Sequence, residues 1–261
     1  MSHAALDFPL AAHAIPSGSL ESGRYVVRFA ASEAELDALL RLRYEVFNLE
    51  LSEGLEDAHL TRRDEDGFDR QFHHLMILAR DSGAAVGTYR LQTREMAESA
   101  AGYYSAGLFE VDRLPAEVCR SAIEIGRACV AKAHRNGRVL HLLWRGLASY
   151  LSWNGKTRLF GCCSLTSQDQ SLGQSVHRHL ESIGAVHSSI RVMPRPEHTC
   201  MLDADGPLPE PHIPALFQAY LTLGARVLGP PAIDRAFGTI DWLVLLDVDE
   251  LTPSVFRSFF G

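Results

Sequence analysis

SAIEIGRACV, residues 121–130, reads as a β-strand from its branched apolar residues, yet it carries a carboxylate inside the apolar run. Glu124 lies between Ile123 and Ile125, and Arg127 follows three positions later. Positions three apart on a regular strand face opposite sides of the sheet. Gly126 stands between them, and a glycine inside a strand often marks a bulge, where one extra residue re-aims its neighbours. One bulge brings Glu124 and Arg127 to the same cleft. The stretch therefore predicts a strand interrupted at its centre, with two ionised side chains turned into one hollow. Taken alone, either residue is better explained by an ion pair at a strand edge.

Working outward, KAHRNGR (132–138) closes this strand and opens an amphipathic helix, RVLHLLWRGLASYL (138–151). Lys132, Arg135 and Arg138, with Gly137 among them, precede the helical N–H groups, which offer donors and partial positive charge. That is the composition of a phosphate cradle; a solvated basic turn is the plain alternative. Upstream, HLMILAR (74–80) and AAVGTYRL (84–91) read as two strands joined by a short turn at Asp81-Ser82-Gly83. YVVRFA (25–30) reads as the first strand, and Ser32 with Glu35 three residues on has the capping-box spacing that starts a helix. Downstream come a strand at 158–165, a helix through about 170–183, a helix at 213–224 and a strand at 241–247. The order predicts an α/β fold whose front half is largely antiparallel.

Charges interrupt other apolar faces too. Leu36, Leu39, Leu40 and Phe47 form one helical stripe, and Arg43 falls on it. A guanidinium there snorkels outward or finds a carboxylate, because an unpaired buried charge costs roughly 3–5 kcal/mol. Asp66 and Asp69, from the acidic run DEDGFD (64–69), are the candidates. Arg90 shares a strand face with Val86 and Thr88. Arg43, Asp66, Asp69, Arg90, Glu124 and Arg127 together point to a polar active cleft.

The chain has 261 residues, a net charge of −7 and five cysteines. The negative balance argues against nucleic acid as a partner. Cysteines without framework spacing suit a reducing cytoplasm, and the absence of CxxC and HExxH predicts no metal site. His73 and His74 are neighbours on a strand, so one is expected packed and the other exposed. Residues 1–23 lack periodicity and read as a mobile leader with no secretory signal, and apolar runs such as WLVLL (242–246) fall far short of a membrane span. The proline cluster at 194–214 is expected to divide a single domain, 24–261, into a core (24–193) and a C-terminal extension (194–261).

RYEVFNLELSEG, the DxxD of DEDGFD, VGTYRL, EIGRACV, HLLWRGLASYL, LFGCCSL and the C-terminal ALFQAYLTLGARVLGPPAIDRAFGTIDWLVLL occur in an order that resembles the bacterial ornithine-lipid N-acyltransferases, over roughly residues 25–250. More distantly the sequence is similar to acyl-homoserine lactone synthases, whose signature residues fall on Arg43, Phe47, Asp66, Asp69, Arg90, Glu124 and Arg127. The resemblance implies a GNAT-like fold: a twisted mixed sheet flanked by helices, with a splayed central strand. It implies a (3-hydroxy)acyl donor held as a thioester on the phosphopantetheine of acyl carrier protein, with no other cofactor. It also implies ornithine as acceptor, lyso-ornithine lipid as product, and Phe47 and Trp144 as substrate-binding residues. Arg135-Asn136-Gly137-Arg138 only approximates the superfamily's phosphate loop, which favours a carrier-protein donor over free coenzyme A. Acyl carrier proteins are acidic, so Lys132, Arg135 and Arg138 are expected to steer docking.

Direct transfer then needs a base, and Glu124 is the choice, since a carboxylate among apolar neighbours binds protons more tightly. Backbone N–H groups near the bulge, around Ala128, are the expected oxyanion donors. Asp66 and Asp69 either position Arg43 and Arg90 or bind the cationic amino acid. A lipid product implies work at the inner face of the membrane. SVFRSFFG at the C-terminus suits interfacial contact, with a helix end docked on the body as the favoured alternative. Competing readings are N-acylation of another amine such as glycine, lysine or S-adenosylmethionine, a lactone synthase, and a non-catalytic module that binds carrier protein or lipid.

Overall fold

The computed structural model describes residues 8–200 and 207–261. Two compact units divide the chain. The first holds Met1–Gly102, Ile123–Lys156 and Phe256–Gly261; the second holds Tyr103–Ala122 and Thr157–Val255. In chain order the strands are β1 (Leu20–Ser22), β2 (Tyr25–Phe29), β3 (His73–Ala79), β4 (Ala85–Thr93), β5 (Ala122–Val130), β6 (Arg158–Leu165), β7 (Arg226–Val227), β8 (Ala232–Asp234) and β9 (Thr239–Asp247). The helices are α1 (Glu33–Tyr44), α2 (Ala58–Thr61), α3 (Arg94–Ser99), α4 (Ala116–Ser121), α5 (Gly137–Trp153), α6 (Gln170–Ser182), α7 (Ala215–Thr222) and α8 (Pro253–Phe260).

In the first unit β1 to β5 pair in sequence order, each antiparallel to the next. The helix before β3 starts where the spacing predicts. Ser32 accepts a hydrogen bond from Glu35 N, while the Glu35 carboxylate reaches back to Ala31 N at 2.7 Å, one residue beyond the expected partner. Beyond Tyr44 the chain continues as a π-helical turn, Glu45–Glu50, which carries Phe47.

Alternation along β3 assigns its two faces. Met76 packs with Leu39 of α1 on one side, and Leu75 meets α5 on the other, where an added Cβ at Gly146 falls 2.6 Å from the Leu75 side chain. With both faces covered, His73 and His74 are both buried, contrary to the expectation that one is exposed. His73 Nε2 donates to Leu10 O and its Nδ1 accepts from Tyr150 of α5 at 2.7 Å. His74 Nε2 donates to Asp69 O at 2.8 Å.

The segment read as a leader is corrected in part. Residues 1–7 lie outside the described residues, but Leu20–Ser22 form β1, and Trp153 and Asn154 donate to the carbonyls of His13 and Ala14 at 3.0 Å. Its lack of periodicity reflects its role: backbone carbonyls, rather than an apolar stripe, make these attachments.

In the second unit β6 pairs with β9 along the whole of β6, from Arg158↔Asp247 to Leu165↔Ile240, and β7 and β8 pair with β9. The C-terminal portion is therefore no appendage, since it supplies the antiparallel partner of β6 and shares its core with Phe160, Val192, Leu228 and Leu243. The boundary expected near 194 does not separate the units; of the proline-rich stretch around it, residues 201–206 lie outside the described residues.

Candidate active site

The predicted bulge is present. Thr88 pairs with Cys129 and Arg90 with Gly126, so Arg127 and Ala128 together oppose Tyr89. The left-handed residue is Arg127, at φ 47°, rather than the glycine before it. A side chain in that conformation costs on the order of 1–2 kcal/mol, and here the turned residue enters a charge cluster. Its guanidinium lies 3.3 Å from Asp64 and 3.1 Å from Asp66.

That cluster joins four segments: α1, the acidic loop, β4 and β5. Arg43 of α1 donates through Nε to Asp64 at 2.8 Å and through both terminal nitrogens to Asp69, at 2.5 and 3.2 Å. Arg90 of β4 donates through Nη1 to Asp66 at 2.8 Å and to Asp69 at 3.0 Å, and its guanidinium lies 4.8 Å from the centroid of the Phe72 ring. Three arginines thus face three aspartates, and their formal charges cancel. Burial opposes the Asp69 charge, but Arg43 and Arg90 outweigh it and hold the carboxyl far below the usual range. Asp66, also opposed by burial, is lowered chiefly by Arg90. Burial likewise works against the Arg43 charge, and Asp69 and Asp64 reverse it.

Both carboxylates whose role was left open are engaged by arginines, Asp69 by Arg43 and Arg90 and Asp66 by Arg90 and Arg127. Asp69 also accepts from Asp66 N at 2.8 Å, so the loop carrying the acids is folded around its own carboxylate. Asp64, fully buried, is the member that sequence reasoning missed. Asp66 was the expected alternative partner of Arg43, but the second partner is Asp64.

Glu124 is buried on β5 directly across from Gln92 of β4, whose Nε2 donates to its Oε2 at 2.6 Å. Gln92 and Arg90 are two apart on β4 and share a face, so the bulged pair of strands presents Glu124 and the arginine cluster on one side. Gln92 and its neighbour Gln71 were not foreseen. A glutamine in a strand reads as a solvated position unless the acid opposite it is known to be buried.

The basic turn departs from expectation. The start of α5 is capped, because the Asn136 side chain accepts from both Arg138 N and Val139 N at 3.1 Å. Arg135 is bonded to both carboxylate oxygens of Glu50, at 2.5 and 2.8 Å, and to Val130 O. Lys132, Gly137 and Arg138 are exposed. The two expected substrate-binding aromatics are both buried. Phe47 lies in the π-helical turn, and Trp144 of α5 stacks on Phe259 of α8 at 5.6 Å. The C-terminal helix is thus docked through Phe259, while Phe256 and Phe260 stack on each other.

Residues 42–145, which carry every member of the cluster, match the acetyltransferase (GNAT) domain family. An L-ornithine N(alpha)-acyltransferase of Brucella abortus (strain 2308) is 30% identical over 263 residues, spanning 94% of this chain and 89% of its own. One of Rhizobium meliloti (strain 1021) is 32% identical over 244 residues, spanning 86% of this chain and 80% of its own. The chain belongs to the L-ornithine N(alpha)-acyltransferase family. Its fold is shared with FeeM, an N-acyl amino acid synthase from uncultured soil microbes, at a TM-score of 0.50 and 11% identity, over 90% of this chain and 94% of that one. In this member of the ornithine acyltransferase family the GNAT-matching region ends inside α5 and encloses both the bulged strand and the acidic loop. No helix among the described residues is long and apolar enough to cross a membrane.

Proposed function

We propose that this acyltransferase moves a (3-hydroxy)acyl group from the phosphopantetheine thioester of acyl carrier protein to the α-amino group of ornithine, giving lyso-ornithine lipid. Family membership over most of the chain supports the acceptor, and the observation that carries the chemistry is Glu124, a buried carboxylate beside a β-bulge. Glu124 takes a proton from the ammonium, directly or through a water, and the freed amine attacks the thioester carbonyl. The C–N bond forms, and the tetrahedral oxyanion is held by backbone N–H groups at the bulge, around Ala128. Its collapse breaks the C–S bond; the attacking nitrogen gives up its second proton to the leaving pantetheine thiolate, and Glu124 passes the first to solvent. No enzyme nucleophile is needed.

The arginine–aspartate cluster fixes the bulge that places these groups. Carrier protein as donor is supported by the exposed cations Lys132 and Arg138, which suit an acidic partner. It is also supported by the capped start of α5, where the N–H groups of Arg138 and Val139 are engaged by the Asn136 side chain instead of open to the phosphates of a free coenzyme.

The test offers purified protein several acyl-carrier thioesters with a panel of amino acids and reads the amides by mass spectrometry. Nα-acylornithine is expected as the main product. Glu124→Gln should lower turnover by about 10²–10⁴-fold. Near-normal turnover of that variant at saturating substrate removes Glu124 from the mechanism, and a different preferred amine removes ornithine.

A further inference from the structure

Beyond the charge cluster the first unit contains a second buried polar chain, and it reaches Glu124. Gln71 follows the acidic loop and is 1% exposed; Gln92 on β4 is fully buried. Gln71 Oε1 accepts from Ala101 N at 3.0 Å, and Gln71 Nε2 donates to Gly102 O at 2.8 Å and to Gln92 Oε1 at 2.7 Å. Gln92 Nε2 donates to Gly102 O at 3.2 Å and to Glu124 Oε2 at 2.6 Å. Each amide nitrogen therefore makes two bonds, and each amide oxygen receives one.

This pattern has a direction. A primary amide can be turned over, exchanging its oxygen and nitrogen, and an isolated glutamine has no reason to prefer either pose. Here the backbone removes the choice. Ala101 N can only donate and Gly102 O can only accept, so Gln71 is fixed with its oxygen towards Ala101 and its nitrogen towards Gly102. Gln92 must then present its oxygen to Gln71, which leaves its NH₂ facing Glu124. Gly102 can place its carbonyl there because it sits at φ 86°, in the left-handed region open to glycine, just after α3. The polarity of one backbone turn is thus transmitted through two side chains to the carboxylate. A donor aimed at a carboxylate favours its charged, proton-accepting form and pins the orientation of its second oxygen.

We infer that Gln92, oriented by Gln71 and the Ala101–Gly102 backbone, is a positioning residue that keeps Glu124 ionised and aimed for proton removal; this rests on Glu124 acting as the base. Neither glutamine touches substrate in this account; both act through Glu124.

Methionine matches glutamine in length and volume and lacks the donor, so Gln92→Met and Gln71→Met are the variants to make. Misdirecting a catalytic group costs up to about 100-fold, so Gln92→Met should lower kcat by about 10- to 100-fold. KM for either substrate should stay within about threefold, since no binding contact is removed. Gln71→Met should lower kcat less, and the double variant should match Gln92→Met alone, because residues acting in series are not additive. On a Glu124→Gln background neither change should lower kcat further.

If Glu124→Gln is impaired while well-folded Gln92→Met turns over like the wild type, the inference is overturned and the base assignment survives. If Glu124→Gln itself is unimpaired, the base assignment has failed first. Equal, additive losses that persist on the Glu124→Gln background mark a merely structural role and also overturn it. Should Gln92→Met not fold, Gln71→Met decides alone: a kcat loss that vanishes on the Glu124→Gln background supports the inference, and an unchanged kcat refutes it.

Discussion

Asp69 is the residue on which the charge cluster turns. It receives Arg43 through both terminal nitrogens, Arg90, and the backbone N–H of Asp66, and it has almost no exposed surface. Asp69→Asn keeps the shape but removes the charge, leaving two buried guanidinium groups short of a counter-ion. Breaking a buried ion pair costs about 3–5 kcal/mol, and the variant should be destabilised by that order in urea unfolding. Asp66→Asn should cost less, because the Asp66 side chain retains 13% exposure and water can screen the loss. An Asp69→Asn protein of wild-type stability would show that the carboxylate is not a clamp. Arg43 announced the cluster in the sequence by falling on an apolar stripe, and an interrupted stripe is a local pattern. Asp64 gave no such sign. Its burial depends on the path of a loop, including the bond from Asp64 N to Leu40 O, and a loop path has no period to read.

Among the elements, α5 shows how closely a helix approaches the sheet when a glycine faces it. An added Cβ at Gly146 meets both Leu75 methyl carbons, at 2.6 and 2.7 Å, and Val27 at 3.1 Å. Two effects oppose each other in Gly146→Ala. Alanine is better than glycine inside a helix by about 1 kcal/mol, while overpacking a close-packed core costs about 1–3 kcal/mol. Leu75 is fully buried and Val27 stands beside it, so the side chain has little room to swing away. Overpacking should win, with a net loss of about 1 kcal/mol and a lower Tm by calorimetry; a higher Tm would mean that the β2–β3 face yields. The long elements were legible because each repeats its pattern over seven or more residues: β3, β4, β5, β6, α5 and α6 fall within two residues of the sequence reading. β1, β7 and β8, at two or three residues, are too short to alternate and exist only because a neighbouring strand offers an edge. The bulge was legible from Gly126, but its left-handed residue was not, since nothing local prefers Arg127 at positive φ. The ion pairs to Asp64 and Asp66 offset that strain.

At the scale of the whole molecule, the sheet buries two adjacent histidines, and this sets how the protein responds to acid. Burial pushes both His73 and His74 down to about 4; at His74 the nearby Asp69 opposes the shift without cancelling it. In the unfolded chain each binds its proton near pH 6.5. Between these values the unfolded state carries more protons than the folded one, so stability rises with pH and is lost on acidification through this window. Each histidine should remove about 2 kcal/mol between pH 7 and pH 4.5. Asp66 and Asp69 act in the same direction but later: their carboxyls are held below the ordinary value, so their contribution is intact above it and falls away only under stronger acid. The urea midpoint should therefore decline well before the carboxylates titrate. His74→Gln keeps a donor for the Asp69 carbonyl and removes the titration, so the same pH series on that variant should recover part of the decline, with His73 and the burial-lowered His177 contributing to the rest. A midpoint flat from pH 7 to 4.5 in the wild type would show that these two side chains are not held neutral inside the sheet.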